Sequence, residues 1–361
     1  QWKLKQLLPR KYQNIVELFS SENMTNSFLA VWSPRVRYSK LEFRQLLRKY
    51  GVKLCFTPMI IADSFNQSEN ARHNEFTTNY DDQPLIAQFA AKSPSEFVTA
   101  AQLIYPYVDG VDLNCGCPQS WAIAKGYGCG LLKQPDRIYD ILRTIRRTLP
   151  DNFSCSLKIR LFNEDVRSNV ELARQLEHKC SHPLNIAAMA EIKKSVHIPI
   201  IVNGNVRTRA EAVELRNATN GDGVMSARGL LANPALFDEQ YSEMDNRPRS
   251  CVQDWLNIDA AAGDNISFHC FHHHLTFMWS KRMERSLRLK FNSFSCKEEV
   301  FTFFNDVYDL KPARNDGTNA EELPSLDFFL PLFETVITGS GHVCSGAGQP
   351  FWIYDRTNFI N

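Results

Sequence analysis

Neither sign of charge dominates this chain: 41 lysines and arginines stand against 40 aspartates and glutamates in 361 residues. At a net charge of +1, no overall field draws it to nucleic acid, so any such partner must be met by a local patch. Long apolar runs are missing too. No stretch approaches the ~18 residues of a membrane span, and Phe28 to Trp32 is too short for a signal-peptide core. No membrane partner is expected, and the location expected is cytoplasmic or nuclear. The chain starts at Gln1 rather than Met, so a lost targeting segment leaves an organellar location open.

Three missing motifs narrow the chemistry. No G-x-G-x-x-G follows the first predicted strand, which removes the usual dinucleotide-fold signature. The ten cysteines lack the paired spacing of a zinc site, and several lie inside apolar runs, as reduced thiols do. His269, His272, His273 and His274 surround Cys270, but no H-E-x-x-H or carboxylate completes a ligand set. They read as a solvated or core-packed cluster, and no metal is expected.

What is present is alternation. Strands are predicted at Phe28–Ser33, Lys53–Thr57, Leu85–Ala90, Asp109–Asn114, Ser154–Leu161, Ile198–Asn203 and Gly223–Ala227, and helices separate most of them. Residues 63–82 read as a long polar loop. After the fifth strand two helices follow in succession, roughly Val166–His178 and Asn185–Val196, with no strand between. Short strands alternating with amphipathic helices predict a parallel sheet wrapped by helices. Near-eightfold repetition favours a (β/α)8 TIM barrel, here lacking its sixth strand. Beyond Pro234 only helices are predicted: Cys251–Ala262, Ile266–Met283 and Lys297–Tyr308. The domains expected are a barrel at 28–247 and a small helical domain at 248–312, with 1–27 and 313–361 left unassigned.

The fourth strand ends in Asn114-Cys-Gly-Cys-Pro118, which puts Cys115 and Cys117 on the loop past its carboxyl end, where parallel β/α proteins place chemistry. A nucleophilic Cys117 would need a positioned histidine, and none stands out. A proton donor or an inert buried thiol remains. Gly204 and Gly229 follow the last two strands, where barrels bind phosphate through backbone N–H groups, and Arg228 can add a charge-assisted bond. That pattern favours a phosphate-bearing cofactor. Lys158 and Arg160 share one strand face and either meet an anion inside or snorkel outward. Gln88 suits the edge of a planar ring or a backbone partner. Lys40, Arg44 and Arg48 form a basic stripe, and Lys281, Arg285 and Arg288 a ridge at i, i+4, i+7. Together they can track a phosphate backbone or serve as plain solvated faces.

Asp112-Leu-Asn-Cys-Gly-Cys-Pro118, Ser156-Leu-Lys-Ile-Arg160, Pro199-Ile-Ile-Val-Asn-Gly-Asn205 and Asp222-Gly-Val-Met-Ser-Ala-Arg-Gly-Leu-Leu-Ala-Asn-Pro234 resemble the tRNA-dihydrouridine synthases. Arg37-Tyr-Ser-Lys-Leu-Glu-Phe43, Phe56-Thr-Pro-Met59, Glu75-Phe-Thr-Thr78 and Phe271-His-His-His-Leu275 are similar to the eukaryotic 20a/20b subgroup. The resemblance spans roughly 33–312. It implies a flavin barrel with FMN, NAD(P)H as reductant, a C-terminal helical tRNA-binding domain and tRNA as partner. A monomer is expected. By the same match Cys117 is the catalytic general acid. Pro34, Gln88, Asn114, Lys158, Asn203, Gly204, Ala227, Arg228 and Gly229 are expected to bind the cofactor. Arg37, Lys40, Lys281, Arg285 and Arg288 are expected to bind RNA.

Two departures stand out. Ser33-Pro34-Arg35 replaces the family's Ala-Pro-Met, and its sixth strand with the flavin-binding His-Gly-Arg-Thr is absent between Cys180 and Ser181. A catalytically impaired tRNA-binding relative is therefore the alternative reading.

Overall fold

A computed structural model of the chain describes residues 13–24, 28–150, 153–160, 186–241, 249–313 and 351–354. The strands are β1 (Leu29–Trp32), β2 (Cys55–Phe56), β3 (Ile60–Ile61), β4 (Leu85–Ala90), β5 (Gly110–Cys115), β6 (Ser154–Arg160), β7 (Ile200–Asn203), β8 (Gly223–Ser226) and β9 (Phe351–Tyr354). All pairings are parallel, in the order β1-β8-β7-β9-β6-β5-β4-β2, with β3 alongside β4. The path curls back on itself: Val31 bridges Leu54, and Trp32 N donates to Leu54 O at 2.9 Å. Eight strand positions thus complete the barrel.

The sixth position is filled from the far end of the chain. β9 lies between β6 and β7, its Phe351 opposite Leu157 and Ile200, and its Ile353 opposite Ile159 and Val202. No element is predicted there from sequence. The physical reason for the insertion is that two parallel edges facing an empty slot would leave their N–H and C=O groups unpaired. Phe-Trp-Ile-Tyr is a run of residues that favour strands. The predicted helix at Val166–His178 and the Cys180–Ser181 junction lie outside the described residues.

Around the barrel run α1 (Ile15–Met24), α2 (Leu41–Lys49), α3 (Ala62–Gln67), α4 (Glu69–Glu75), α5 (Pro94–Ile104), α6 (Ser120–Ala124), α7 (Pro135–Thr148), α8 (Ile186–Ser195), α9 (Arg209–Thr219) and α10 (Arg228–Ala232). The expected loop at 63–82 contains α3 and α4, because Ser68 caps the second of them by accepting from Ala71 N at 3.2 Å. The first, unassigned stretch also has a role. Ile15 and Phe19 of α1 are buried with Leu29, Val31, Leu54, Phe56, Ile86, Ile201 and Met225, which closes the barrel at the start of its strands. Burying those two side chains contributes about 1.5–3 kcal/mol each.

The helical region comprises α11 (Arg249–Ala262), α12 (Phe268–Trp279), α13 (Arg285–Asn292) and α14 (Lys297–Tyr308). It docks on α2: Trp255 and Phe43 pack edge-to-face at 5.8 Å, and Tyr50 and Lys49 both bond Asp254 at 2.7 Å. His274 is wholly buried and stacks on Phe43 at 4.0 Å. His272 is buried too, its Nε2 2.9 Å from Phe291 O. The helix predicted over Ile266–Met283 stops at Trp279, and a 3-10 turn at Ser280–Arg282 separates it from α13. Lys281 therefore does not share a helix with Arg285 and Arg288, and the single ridge is broken.

Candidate active site

Side chains alternate along each barrel strand, and the apolar outward set (Leu85, Ala87, Phe89; Val111, Leu113, Cys115; Leu157, Ile159) packs in the main core. The inward set near the carboxyl ends is polar: Gln88 on β4, Asp112 and Asn114 on β5, Ser156 and Lys158 on β6, Asn203 on β7. All six are buried. Buried polar groups need partners, and these make them with one another. Gln88 Nε2 donates to Asp112 Oδ2 at 2.7 Å, and Ser156 Oγ donates to Asp112 Oδ1 at 2.7 Å. Asn114 Nδ2 donates to Gln88 Oε1 at 2.8 Å. Asn114 Oδ1 in turn accepts from Gly116 N at 3.1 Å and Cys117 N at 2.9 Å.

Lys158 points inward, so the outward snorkel does not occur. Its Nζ reaches Asn203 Oδ1 at 3.4 Å and Met225 Sδ at 3.5 Å. Burial pushes its pKa down, and the Asp112 carboxylate opposes that. Asp112 is pushed up by burial, against its bonds from Gln88 and Ser156 and the charge of Lys158. Arg160 behaves differently from its neighbour. Its Nε donates to Gly116 O at 2.9 Å, which ties it to the cysteine loop.

Cys115 is the last residue of β5, fully buried, with its thiol pKa raised well above the ordinary range by burial. It is not on the loop. Cys117 is, half-buried, and burial raises its pKa against the Gln119 backbone bond and the charge of Arg160. The thiol is therefore protonated at neutral pH, which suits a proton donor. Gly128 buttresses this loop with φ +57°. A Cβ there would stand 2.6 Å from Cys117 O and 2.7 Å from Cys117 Cβ. The glycines at 126, 128 and 130 are the one sequence feature that could have pointed to this contact. Asp112, Ser156 and Arg160 complete the constellation, and only their strand periodicity hinted at it.

At the last two strands Asn203 Nδ2 donates to Met225 O at 2.8 Å, and Arg228 Nη2 donates to Asn205 Oδ1 at 2.9 Å from an exposed position. Gly204 and Ala227 are buried. Gly229 owes its missing side chain to packing: a Cβ there would meet Val206 O at 2.1 Å and Leu236 Cδ1 at 2.6 Å. Pro34 follows β1 half-exposed, and beside it Ser33 Oγ is buried with no hydrogen-bond partner among the described residues.

The expected RNA contacts divide. Arg37, Lys281, Arg285 and Arg288 are exposed. Lys40 is half-buried and donates to Asn74 O. Its supposed partners in the stripe are structural: Arg44 and Arg48 bond Asp82 at 2.6 and 3.0 Å, with Asp82 fully buried. A stripe at helical spacing served a buried ion pair because the segment after α4 folds Asp82 against α2.

The dihydrouridine synthase (Dus) family model matches residues 30–322. The chain is 42% identical over 308 residues to a Mus musculus protein named tRNA-dihydrouridine(20a/20b) synthase-like, covering 81% of this chain and 92% of that one. It is 39% identical to the Homo sapiens protein of the same name over 310 residues, 82% and 94% of the two chains. A Schizosaccharomyces pombe tRNA-dihydrouridine(20a/20b) synthase is 38% identical over 272 residues, 71% and 81% of the two chains. On these grounds, and with its cysteine loop seated at the mouth of a parallel barrel, the chain belongs to the dihydrouridine synthase family.

Proposed function

We propose that this chain reduces uridine in the tRNA D-loop, at positions 20a and 20b, to 5,6-dihydrouridine, with FMN as prosthetic group and NAD(P)H as reductant. The observation that carries the reading is the seating of the Cys117 loop on the inward polar floor: the Cys117 backbone N donates to Asn114, Asn114 to Gln88, and Lys158 and Asn203 face them from the next strands. That floor fits a flavin. Three amides and one ammonium offer both donors and acceptors to the edge of a planar ring, and the unpartnered Ser33 hydroxyl is a further group for a ligand to satisfy. Gln88, Asn114, Lys158, Asn203 and Pro34 would hold the ring, and Gly204, Ala227, Arg228 and Gly229 the phosphate end.

FMN, when bound, supplies the hydride received at uracil C6, and NAD(P)H replenishes it. The chain's own part is the proton. Cys117 holds it at Sγ for uracil C5, and the bonds from Gly116 and Cys117 amides to Asn114 keep that sulfur in place. A base inside a folded RNA must leave its stack to reach the barrel mouth, and the exposed Arg37, Lys281, Arg285 and Arg288 are the groups proposed to hold the surrounding backbone.

The test is direct. The purified chain should show a flavin absorption spectrum and form dihydrouridine in tRNA lacking it, read by mass spectrometry. Cys117→Ala should lower the rate by about 10²–10⁴-fold, the usual share of a general acid, while the flavin stays. One observation favours the impaired relative instead: β9 fills the wall, but no His-Gly-Arg-Thr stands among the described residues. A colourless protein that still binds tRNA in a salt-sensitive way would select that reading.

A further inference from the structure

The hydrogen bonds beneath the cysteine loop have a direction, and one residue sets it. Both Asp112 oxygens accept, Oδ2 from Gln88 Nε2 and Oδ1 from Ser156 Oγ, each at 2.7 Å, and these bonds with the charge of Lys158 favour the carboxylate against burial. A carboxylate only accepts, so Gln88 must turn its Nε2 toward it. Gln88 then presents Oε1 to β5, and Asn114 must answer with Nδ2. That leaves Asn114 Oδ1, its one remaining acceptor, facing the amides of Gly116 and Cys117. If Gln88 were turned round, Asn114 would turn with it and present an NH2 group to two N–H donors. Every link is buried or nearly so, so water cannot substitute for a wrong orientation.

We infer that Asp112 is a positioning residue for Cys117, acting through Gln88 and Asn114 by fixing which way both amides point. This deepens the reading of Cys117 as proton donor and rests on it for its importance to catalysis. The relay itself is testable without any turnover.

The test exploits polarity. In Gln88→Glu two carboxylates meet where one donor and one acceptor stood, and the relay has no consistent arrangement. In the double variant Gln88→Glu/Asp112→Asn the donor and acceptor simply change places. Asn at 112 donates to Glu at 88, whose other oxygen still accepts from Asn114, and the loop is held as before. Asp112→Asn alone still permits the same direction, with Asn at 112 accepting from Gln88 and donating to the Ser156 hydroxyl, but no longer imposes it. The readout is the pH profile of iodoacetamide alkylation at Cys117 in the purified full chain, located by fragment mass spectra. Gln88→Glu should release the loop and raise the alkylation rate at neutral pH by about threefold or more, as a thiol leaving its buried seat does. The double variant should return the profile to that of the parent. A Gln88→Glu chain that fails to fold beside a double variant that folds with the parent profile supports the relay equally. A parent-like profile in Gln88→Glu, or an altered profile or failed folding in the double variant while Asp112→Asn is normal, overturns it. Loss of dihydrouridine formation in the parent chain would refute the proposed function and leave the relay standing.

Discussion

Ile353→Pro probes the most unusual element of this barrel, the strand brought in from the far end of the chain. Ile353 sits in the middle of β9, opposite Ile159 on one side and Val202 on the other. β9 is four residues long, so full pairing satisfies four N–H and four C=O groups on each side of the exchange. At roughly 0.5–1.5 kcal/mol per bond, eight bonds contribute on the order of 4–12 kcal/mol. Fixing four backbones costs about 4–8 kcal/mol. The two nearly cancel, so the slot is held by a small margin. Proline removes one donor and leaves a wall carbonyl unsatisfied, at about 1–3 kcal/mol. Occupancy should then fall roughly 5- to 150-fold, by the factor of ten that each 1.4 kcal/mol carries. The assay is amide hydrogen exchange followed by mass spectrometry. In the parent chain, peptides over 351–354 should be protected together with those over β7. In the variant, 351–354 should exchange freely and the facing edges of β6 and β7 should lose protection. Free exchange at 351–354 in the parent, or unchanged β6 and β7 in the variant, would refute the reasoning.

Asp82→Ala should cost about 3–5 kcal/mol in denaturant melts, because it strands two guanidinium groups on α2. Burial alone would raise the Asp82 pKa, but Arg44 and Arg48 outweigh it and hold it below the ordinary value. A depressed carboxylate stabilises above its unfolded pKa of about 3.9 and loses that contribution as pH falls through the folded value. The gap between parent and Asp82→Ala should therefore narrow below about pH 4. His274 acts at milder acidity. Burial, then the charge of His273, lowers its pKa to about 3, so below the unfolded value near 6.5 only the unfolded chain takes up that proton. Stability should fall by about 1.4 kcal/mol per pH unit in that window, and His274→Phe, which keeps the stack on Phe43, should flatten the slope. A variant with the parent's pH dependence would contradict this. Arg285→Ala/Arg288→Ala should weaken tRNA binding and reduce the salt slope by about 0.7–0.9 for each phosphate no longer neutralised, as measured by filter binding at several salt concentrations. An unchanged slope would remove α13 from the RNA interface.

Local pattern was enough for the parts of this protein that repeat. Leu85–Ala90 and Lys297–Tyr308 lie where periodicity puts them, because a strand's two faces and a helix's one stripe are written in consecutive residues. The cysteine loop was legible for the same reason: a strand, then glycine and proline, mark a carboxyl-end loop. Lys158 could be placed on a strand face from sequence, but whether it turned inward depended on what faced it. Asp112, Gln88 and Asn203 come from three other strands, and only the closed barrel brings them within reach. The same holds for the two largest revisions. Arg44 and Arg48 looked like a solvent-facing stripe until the fold laid Asp82 against them. Phe351–Tyr354 carried no periodic signal, since four residues hold barely two repeats. Its place follows from the unpaired edges of β6 and β7, which exist only once the rest of the barrel has formed around the slot.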